Sequence, residues 1–104
     1  MKKLVLSIGL NDKDTKKQEI ATEKAMEVVS AECLKFVEGA TIIPNCIGIY
    51  THDNGEKVME KSIRCEFYGE NPDTVKEIAC SLCAVLNQES IAYEETEIYS
   101  EMIR

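Results

Sequence analysis

The spacing of apolar residues changes along this chain, and the order of the changes limits the folds that it can adopt. Near the start, apolar side chains alternate at Leu4, Leu6, Ile8 and Leu10, which is typical of a strand with one buried face. The spacing then becomes helical, alternates over a long stretch with a central turn, becomes helical again and ends in a short alternating stretch. The sequence therefore predicts the order βαββαβ.

The first helical stretch contains Met26, Val29, Cys33, Phe36 and Val37 at helical spacing. Thr15 followed by Gln18 has the spacing of a capping box, which predicts that this helix begins near residue 15. Gly39 is the expected stop signal.

A β-hairpin is predicted over residues 41–68. The first half is rich in β-branched residues, and Asp53-Asn54-Gly55 has the composition of a tight turn. Pro44 cannot donate a ladder hydrogen bond, so we expect its strand to lie at an edge of the sheet.

The second helix is predicted after Asn71-Pro72, a capping side chain followed by a proline suited to the first turn. A last strand is predicted from Ile91 to Ile98. It carries Glu94, Glu95 and Glu97, and charge of this kind protects edge strands from pairing with other chains.

Together these elements predict one ferredoxin-like α+β domain over residues 1–104, with 98–104 as a possible extension of the minimal fold. In this fold a four-stranded antiparallel sheet has the order four, one, three, two, and both helices cover one face. The fold puts the strand with Pro44 at one edge and the glutamate-rich strand at the other. The opposite face of the sheet is left open.

The charge distribution limits the choice of partner. The net charge is −7, and residues 53–104 hold twelve acids and five bases, so all of the excess lies in the second half. Phosphate backbones would repel such a surface, and we expect no direct nucleic-acid binding. The apolar run after Met1 is too short for a membrane span, so we expect a cytoplasmic protein with reduced cysteines.

Several reactive residue types are present without the partners that catalysis needs. Cys80-Ser81-Leu82-Cys83 lies inside the second helix, where packing explains it better than redox chemistry or zinc. His52 is the only histidine, and Asp12 and Asp14 lack the rest of a calcium loop. No phosphate loop, serine elbow or zinc-protease motif occurs. We therefore predict no catalytic residue, no metal and no cofactor.

Three polar segments end at the same pole of the predicted fold: the end of the first strand, the hairpin tip and the end of the second helix. A small ligand could be held where they meet. The alternative is that these residues only form turns and caps. The predicted ligand-binding residues are Asn11, His52, Asn54, Asn87, Gln88, Glu89 and Ser90.

The open face of the sheet is a candidate interface between copies of the chain. It combines small residues with tyrosines, which another sheet could cover, although antiparallel sheets also leave one face in water. The predicted interface residues are Val5, Tyr50, Arg64 and Tyr68.

Three short motifs resemble those of a family of small bacterial and phage proteins of unknown function. They are Glu38-Gly39-Ala40-Thr41-Ile42, Gly48-Ile49-Tyr50 with Asp53-Asn54-Gly55, and Asn87-Gln88-Glu89-Ser90-Ile91. Many bacterial members look exported, whereas this chain is similar to the shorter phage-type members. The resemblance implies a phage or prophage accessory role, in the host cytoplasm, and it adds interest to Gln88, Glu89 and Ser90.

The leading functional hypothesis is a non-enzymatic, homo-oligomeric binding module that sequesters a small ligand or blocks a host protein. One alternative is a small enzyme of the dimeric α+β-barrel kind, using His52, Tyr50 and Arg64. Another is an acidic inhibitor of a nucleic-acid-binding protein, using the glutamates of the last strand and Glu101.

Overall fold

A computed structural model describes residues 1–104 and contains four strands and two helices in the predicted order. The elements are β1 (Lys2–Gly9), α1 (Thr22–Leu34), β2 (Thr41–Thr51), β3 (Lys57–Tyr68), α2 (Pro72–Val85) and β4 (Ala92–Glu97). The sheet order is β2-β3-β1-β4, with every neighbouring pair antiparallel. The ferredoxin-like α+β fold is therefore confirmed.

Both edge strands are the ones that the sequence predicted. Pro44 lies in β2, and the β2–β3 register shifts between Ile43 and Cys46, so the proline occupies a bulge where no ladder bond is lost. Asn45 takes a positive φ of 61° at this bulge. The glutamates of β4 lie on the other edge strand.

The core lies between one face of the sheet and the two helices. Alternate residues of β1 and β3 face it, because successive side chains of a strand point to opposite sides. The helices close it with one apolar stripe each. Its fully buried side chains include Leu4, Leu6, Ile8, Ile63, Phe67, Val29, Val75, Ile78 and Leu82. Cys33 and Cys65 are buried in the same core, as small apolar residues are expected to be.

The predicted start of α1 was wrong. The helix begins at Thr22, and Thr15 and Gln18 belong to the preceding loop. Asp12 Oδ1 accepts hydrogen bonds from the backbone N–H groups of Asp14 (2.8 Å) and Thr15 (3.1 Å), which forms a side-chain-closed turn. Lys16 then takes a positive φ of 63°, which a helix cannot contain.

The end of α1 also differs from the prediction. The helix ends at Leu34, so Phe36 and Val37 lie in the turn that follows rather than in the helix. Gly39 comes later still and is not the residue that stops it.

The two helices are joined by one buried polar contact. Glu32 of α1 is buried; it accepts a hydrogen bond from the Ser81 hydroxyl of α2 and pairs with Lys35 at 3.0 Å. The Ser81 bond and then Lys35 lower the pKa of Glu32 against the opposing effect of burial. A carboxylate can lie between the helices because it is fully partnered there.

Candidate functional site

A cleft of about 920 Å³ lies where the end of β1, the β2–β3 turn and the segment after α2 meet. Six of the seven predicted ligand-binding residues line it, namely Asn11, His52, Asn54, Gln88, Glu89 and Ser90. The fold brings them together because β1 and β2 run towards this pole while α2 ends there.

The backbone of Asn11 ties the three segments together. Its N–H donates to Glu60 Oε2 of β3 at 2.9 Å, and its carbonyl accepts from Gln88 Nε2 at 2.8 Å. Gln88 is only 8% exposed, so its side-chain amide forms a buried hydrogen bond that joins the segment after α2 to the end of β1.

Glu60 owes its position to a glycine in the neighbouring strand. A Cβ at Gly9 would overlap the Glu60 carboxylate, which therefore occupies space that a side chain at position 9 would fill. Glu60 and Gly9 both line the cleft, and the sequence prediction missed both. A signal was present, since a glycine inside an alternating strand often marks a close approach.

Asn87 is the one predicted ligand-binding residue outside this cleft. Its side chain donates to Asp12 Oδ2 (3.0 Å) and Asp14 Oδ2 (2.8 Å), and its carbonyl accepts from the Lys13 N–H at 3.0 Å. It faces a smaller hollow of about 130 Å³ whose apolar lining is Leu10, Ile20, Val85 and Leu86. Asn87 therefore positions the 11–18 loop.

This amide also affects the acidity of its partner. The hydrogen bond from Asn87, followed by the backbone bonds from Thr15 and Asp14, lowers the pKa of Asp12. The carboxylate at this edge of the cleft is thus held in its charged form.

The cleft contains two aromatic rings, one from β2 and one from the turn that follows it. Tyr50 and His52 pack edge to face with their centroids 5.2 Å apart. Partial burial, and then the nearby carboxylates of Glu60, Glu89 and Glu56, raise the pKa of Tyr50. Its phenol therefore stays protonated at neutral pH and can donate a hydrogen bond.

The cleft is acidic overall. Among its lining residues are five carboxylates, from Asp12, Asp53, Glu56, Glu60 and Glu89, against three lysines, Lys13, Lys16 and Lys57. No group of three or more histidine, cysteine or carboxylate side chains is arranged to hold a metal ion. Such a cleft favours a cationic organic ligand over an anionic one.

The four predicted interface residues are exposed to different degrees in the single chain. Tyr50 and Tyr68 remain accessible on the open face, and Tyr50 also lines the cleft. Val5 is 2% exposed, because charged neighbours lie over this part of the sheet.

The ion pairs on this face centre on Glu66. It pairs with Lys3 at 3.3 Å and with Arg64 at 3.4 Å, and Arg64 also pairs with Glu94 at 3.5 Å. Partial burial opposes the charged form of Glu66, but Lys3 and Arg64 outweigh it and lower its pKa. Arg64 is therefore already engaged within the chain.

Comparison with solved structures identifies proteins of the same fold. A phage SAM lyase in the apo state is 21% identical, with a TM-score of 0.72, over 99% of this chain and 92% of that one. A phage SAM lyase in complex with S-methyl-5'-thioadenosine is 21% identical, with a TM-score of 0.70, over 92% and 80% of the two chains. The divalent cation tolerance protein Cut A1 from Thermus thermophilus is 12% identical, with a TM-score of 0.65, over 98% and 88%.

No family model and no curated protein matches the chain. These three structural likenesses are below 25% identity and establish the shared ferredoxin-like fold. None of the helices has the length and apolar character that a membrane crossing requires.

Proposed function

We propose that this chain is a phage-type protein that binds S-adenosylmethionine in the cleft and cleaves it, releasing S-methyl-5'-thioadenosine. The observation that carries the proposal is the acidic cleft, in which the Glu60 carboxylate is held in place beside Tyr50. The likeness to a phage SAM lyase, which extends along nearly the whole chain, supports the choice of ligand.

The charge of the ligand suits the lining of the cleft. S-adenosylmethionine has a positively charged sulfonium centre, which carboxylates and aromatic faces attract. Glu60 is fixed by the Asn11 N–H and Gly9, and the protonated Tyr50 hydroxyl is available as a donor. The ribose and adenine offer hydrogen-bonding groups to the polar side chains around them, including Asn54 and Ser90.

The reaction would not require a protein nucleophile. The bond between the sulfonium sulfur and the γ carbon of the methionine part breaks, and the sulfur keeps both electrons and becomes a neutral thioether. The substrate's own carboxylate can attack the γ carbon to form a lactone, with the ammonium group available to lose a proton to solvent. A positioned carboxylate such as Glu60 would hold the sulfonium centre so that the substrate's own carboxylate lies opposite the bond that breaks. The lack of a catalytic motif is therefore compatible with this chemistry.

The test is incubation of the purified chain with S-adenosylmethionine, with products followed by liquid chromatography and mass spectrometry. We expect S-methyl-5'-thioadenosine and an amino-acid lactone in equal amounts, at a rate above the spontaneous one. Calorimetry with S-adenosylhomocysteine, which lacks the sulfonium charge, should show weaker binding. If neither binding nor product is detected at millimolar substrate, the proposal is wrong.

The second candidate is sequestration of the same ligand without cleavage. The observation in its favour is the acidic lining, because carboxylates attract the sulfonium of the intact ligand more strongly than a transition state in which that charge is being lost. Binding of S-adenosylmethionine with no product formed would select this candidate.

The acidic-inhibitor alternative receives less support from the contacts of β4. Glu94 pairs with Arg64, Glu95 with Lys2, and Glu97 with the amino group of Met1. Carboxylates that are paired within the chain offer less charge to a basic groove. Host-protein binding that weakens steeply with salt would favour this alternative.

A further inference from the structure

Two of the five cysteines lie on α2 outside the core. The buried face of this helix is formed by Val75, Ile78 and Leu82, whereas Cys80 is exposed and Cys83 is half-buried. Packing, which the sequence favoured as the explanation of the Cys80-Ser81-Leu82-Cys83 motif, does not account for an exposed Cys80. The pair therefore needs another explanation.

The two thiols lie close together on one side of α2. Cys80 and Cys83 are three residues apart in a helix that runs unbroken from Pro72 to Val85. Residues at this spacing are neighbours on a helix surface, with about 5 to 6 Å between their Cβ atoms, and their side chains lean towards the same end of the helix. Burial is the main cause that raises the pKa of Cys83, and the nearby charge of Cys80 is the next.

This spacing disfavours two common uses of a cysteine pair. A disulfide needs Cβ atoms about 3.5 to 4.5 Å apart, so the helix would have to tighten before Cys80 and Cys83 could be joined. A structural zinc ion needs four ligands, and no third histidine, cysteine or carboxylate is placed to complete such a group. A ligand for this pair must span more than a sulfur–sulfur bond and must be satisfied by two sulfurs.

A soft monovalent metal ion meets both requirements. Thiolates select Cu(I) because both partners are soft, and an ion of single charge can be held in a line between two sulfurs. With metal–sulfur bonds close to the ~2.3 Å of zinc thiolates, such a pair places its sulfurs about 4.6 Å apart. That separation fits Cβ atoms about 5 to 6 Å apart without a change in the helix.

A lysine from the 11–18 loop balances the charge of this arrangement. Two thiolates and one monovalent cation leave one unit of negative charge, which a neighbouring cation stabilises. Burial and then Cys80 raise the pKa of Cys83, and the positive charge of Lys13 acts against both. The Lys13 backbone N–H donates to the Asn87 carbonyl at 3.0 Å, which fixes the loop beside the end of α2.

We propose that Cys80 and Cys83 form a binding site for one Cu(I) ion, held between their two sulfurs. Each thiol releases its proton to solvent and forms one metal–sulfur bond, and no group is oxidised or reduced. The sequence argument against a metal concerned zinc and calcium, which need more ligands than two cysteines provide. Neither cysteine lines the cleft, so this site goes beyond the proposed function.

The test is a competition for Cu(I) without oxygen. The reduced chain is added to the coloured complex of Cu(I) with bathocuproine disulfonate, and the loss of colour measures the metal that the chain takes up. Native mass spectrometry of the same samples counts the metal ions, and we expect one per chain. Zn(II) at the same concentration should bind far more weakly, because it finds only two of its four ligands.

Single substitutions locate the site. Cys80→Ser and Cys83→Ser should each lower the affinity for Cu(I) more than about 100-fold, since losing even a supporting partner of a metal ligand costs about 10- to 100-fold. Cys46→Ser, at a half-buried cysteine of β2, is the matched control and should bind as the unsubstituted chain does. Neither α2 cysteine is buried, so the variants should fold, which circular dichroism checks.

Three results would overturn the inference. The first is no transfer of Cu(I) from the bathocuproine complex even with the chain in excess. The second is unchanged uptake by Cys80→Ser and Cys83→Ser, which would place the metal elsewhere. The third is a complex of one metal ion with two chains, which would assign the two sulfurs to different copies. X-ray absorption of the one-to-one complex should show two sulfur neighbours and no other ligand.

Discussion

The side-chain amide of Gln88 donates a 2.8 Å hydrogen bond to the backbone carbonyl of Asn11, which lies 77 residues earlier in the chain. The backbone N–H of Asn11 also donates a hydrogen bond to Glu60 Oε2. Asn11 therefore links the segment after α2 to β3, and these bonds hold the shape of the cleft as well as the fold.

Gln88→Ala should destabilise the chain and weaken ligand binding together. It leaves the Asn11 carbonyl without its protein partner and removes a buried side chain. A buried group left unsatisfied costs about 1 to 3 kcal/mol, and the free energy of unfolding from urea titration should fall by this order. Glu89→Ala is the control for stability, because Glu89 is exposed and makes no hydrogen bond within the chain. Equal stability of the two variants would show that the hydrogen bond from Gln88 to the Asn11 carbonyl does not stabilise the fold.

Gly9→Ala should weaken the binding of S-adenosylmethionine by displacing Glu60. The added Cβ would overlap the Glu60 carboxylate, which must shift from the position in which it accepts from the Asn11 N–H. If the contact between Glu60 and the sulfonium contributes about 1.4 kcal/mol or more to binding, its loss should raise the dissociation constant measured by calorimetry about tenfold or more.

Gly48→Ala is the matched control for this substitution. Its added Cβ would meet Glu60 Cγ at 3.9 Å, an ordinary contact, so binding should be unchanged. Glu60→Gln should reproduce the loss seen with Gly9→Ala, because it removes the charge while keeping the shape. Unaltered affinity in both Gly9→Ala and Glu60→Gln would show that Glu60 does not hold the ligand.

The fold could be predicted from the sequence because the spacing of apolar residues shows which face of each helix or strand is buried. Pro44 and the glutamates of β4 added information about the edges that the period does not contain. The same reasoning failed at Thr15 and Gln18, because Asp12 closes a turn with the N–H groups that a helix start would also offer. Local patterns cannot separate these two uses of a capping side chain.

Most of the cleft was predictable, since topology alone brings the ends of β1, of the hairpin and of α2 to one pole. Glu60 was not, because its position depends on the register between β3 and β1 and on the missing side chain at Gly9. The orientation of Asn87 was likewise set by Asp12 and Asp14, more than seventy residues away. Long-range side-chain bonds of this kind leave no period in the sequence.

Asp12→Asn should make the stability of the chain less sensitive to acid. The folded-state pKa of Asp12 lies below its ordinary value of 3.8, chiefly because of the Asn87 amide and the Thr15 and Asp14 N–H groups. The stabilisation is therefore complete above the unfolded-state pKa and is lost as the pH falls through the lower folded-state pKa.

Urea titrations at a series of pH values measure this effect. At neutral pH the free energy of unfolding should be larger for the unsubstituted chain than for Asp12→Asn. The difference between the two should shrink below about pH 4. Asp53→Asn, at an exposed cleft carboxylate without a side-chain hydrogen bond, is the control. A difference that persists unchanged in strong acid would exclude the Asn87–Asp12 contact as its source.

Native alkylation should separate the five thiols by their surroundings. Cys80 is exposed on α2, whereas Cys33 and Cys65 are buried together in the core. A hydrogen bond with Cys33, and then burial, raises the pKa of Cys65, and burial followed by the charge of Cys80 raises the pKa of Cys83. Because iodoacetamide must reach the thiolate, it should modify the exposed Cys80 first and leave Cys33 and Cys65, which are buried, unmodified in the folded chain. Peptide mass spectrometry reports each site, Cys80→Ser should remove the fastest phase, and all five sites should react in denaturant. Rapid modification of Cys65 under native conditions would mean that the core between α1 and β3 opens far more readily than its packing indicates.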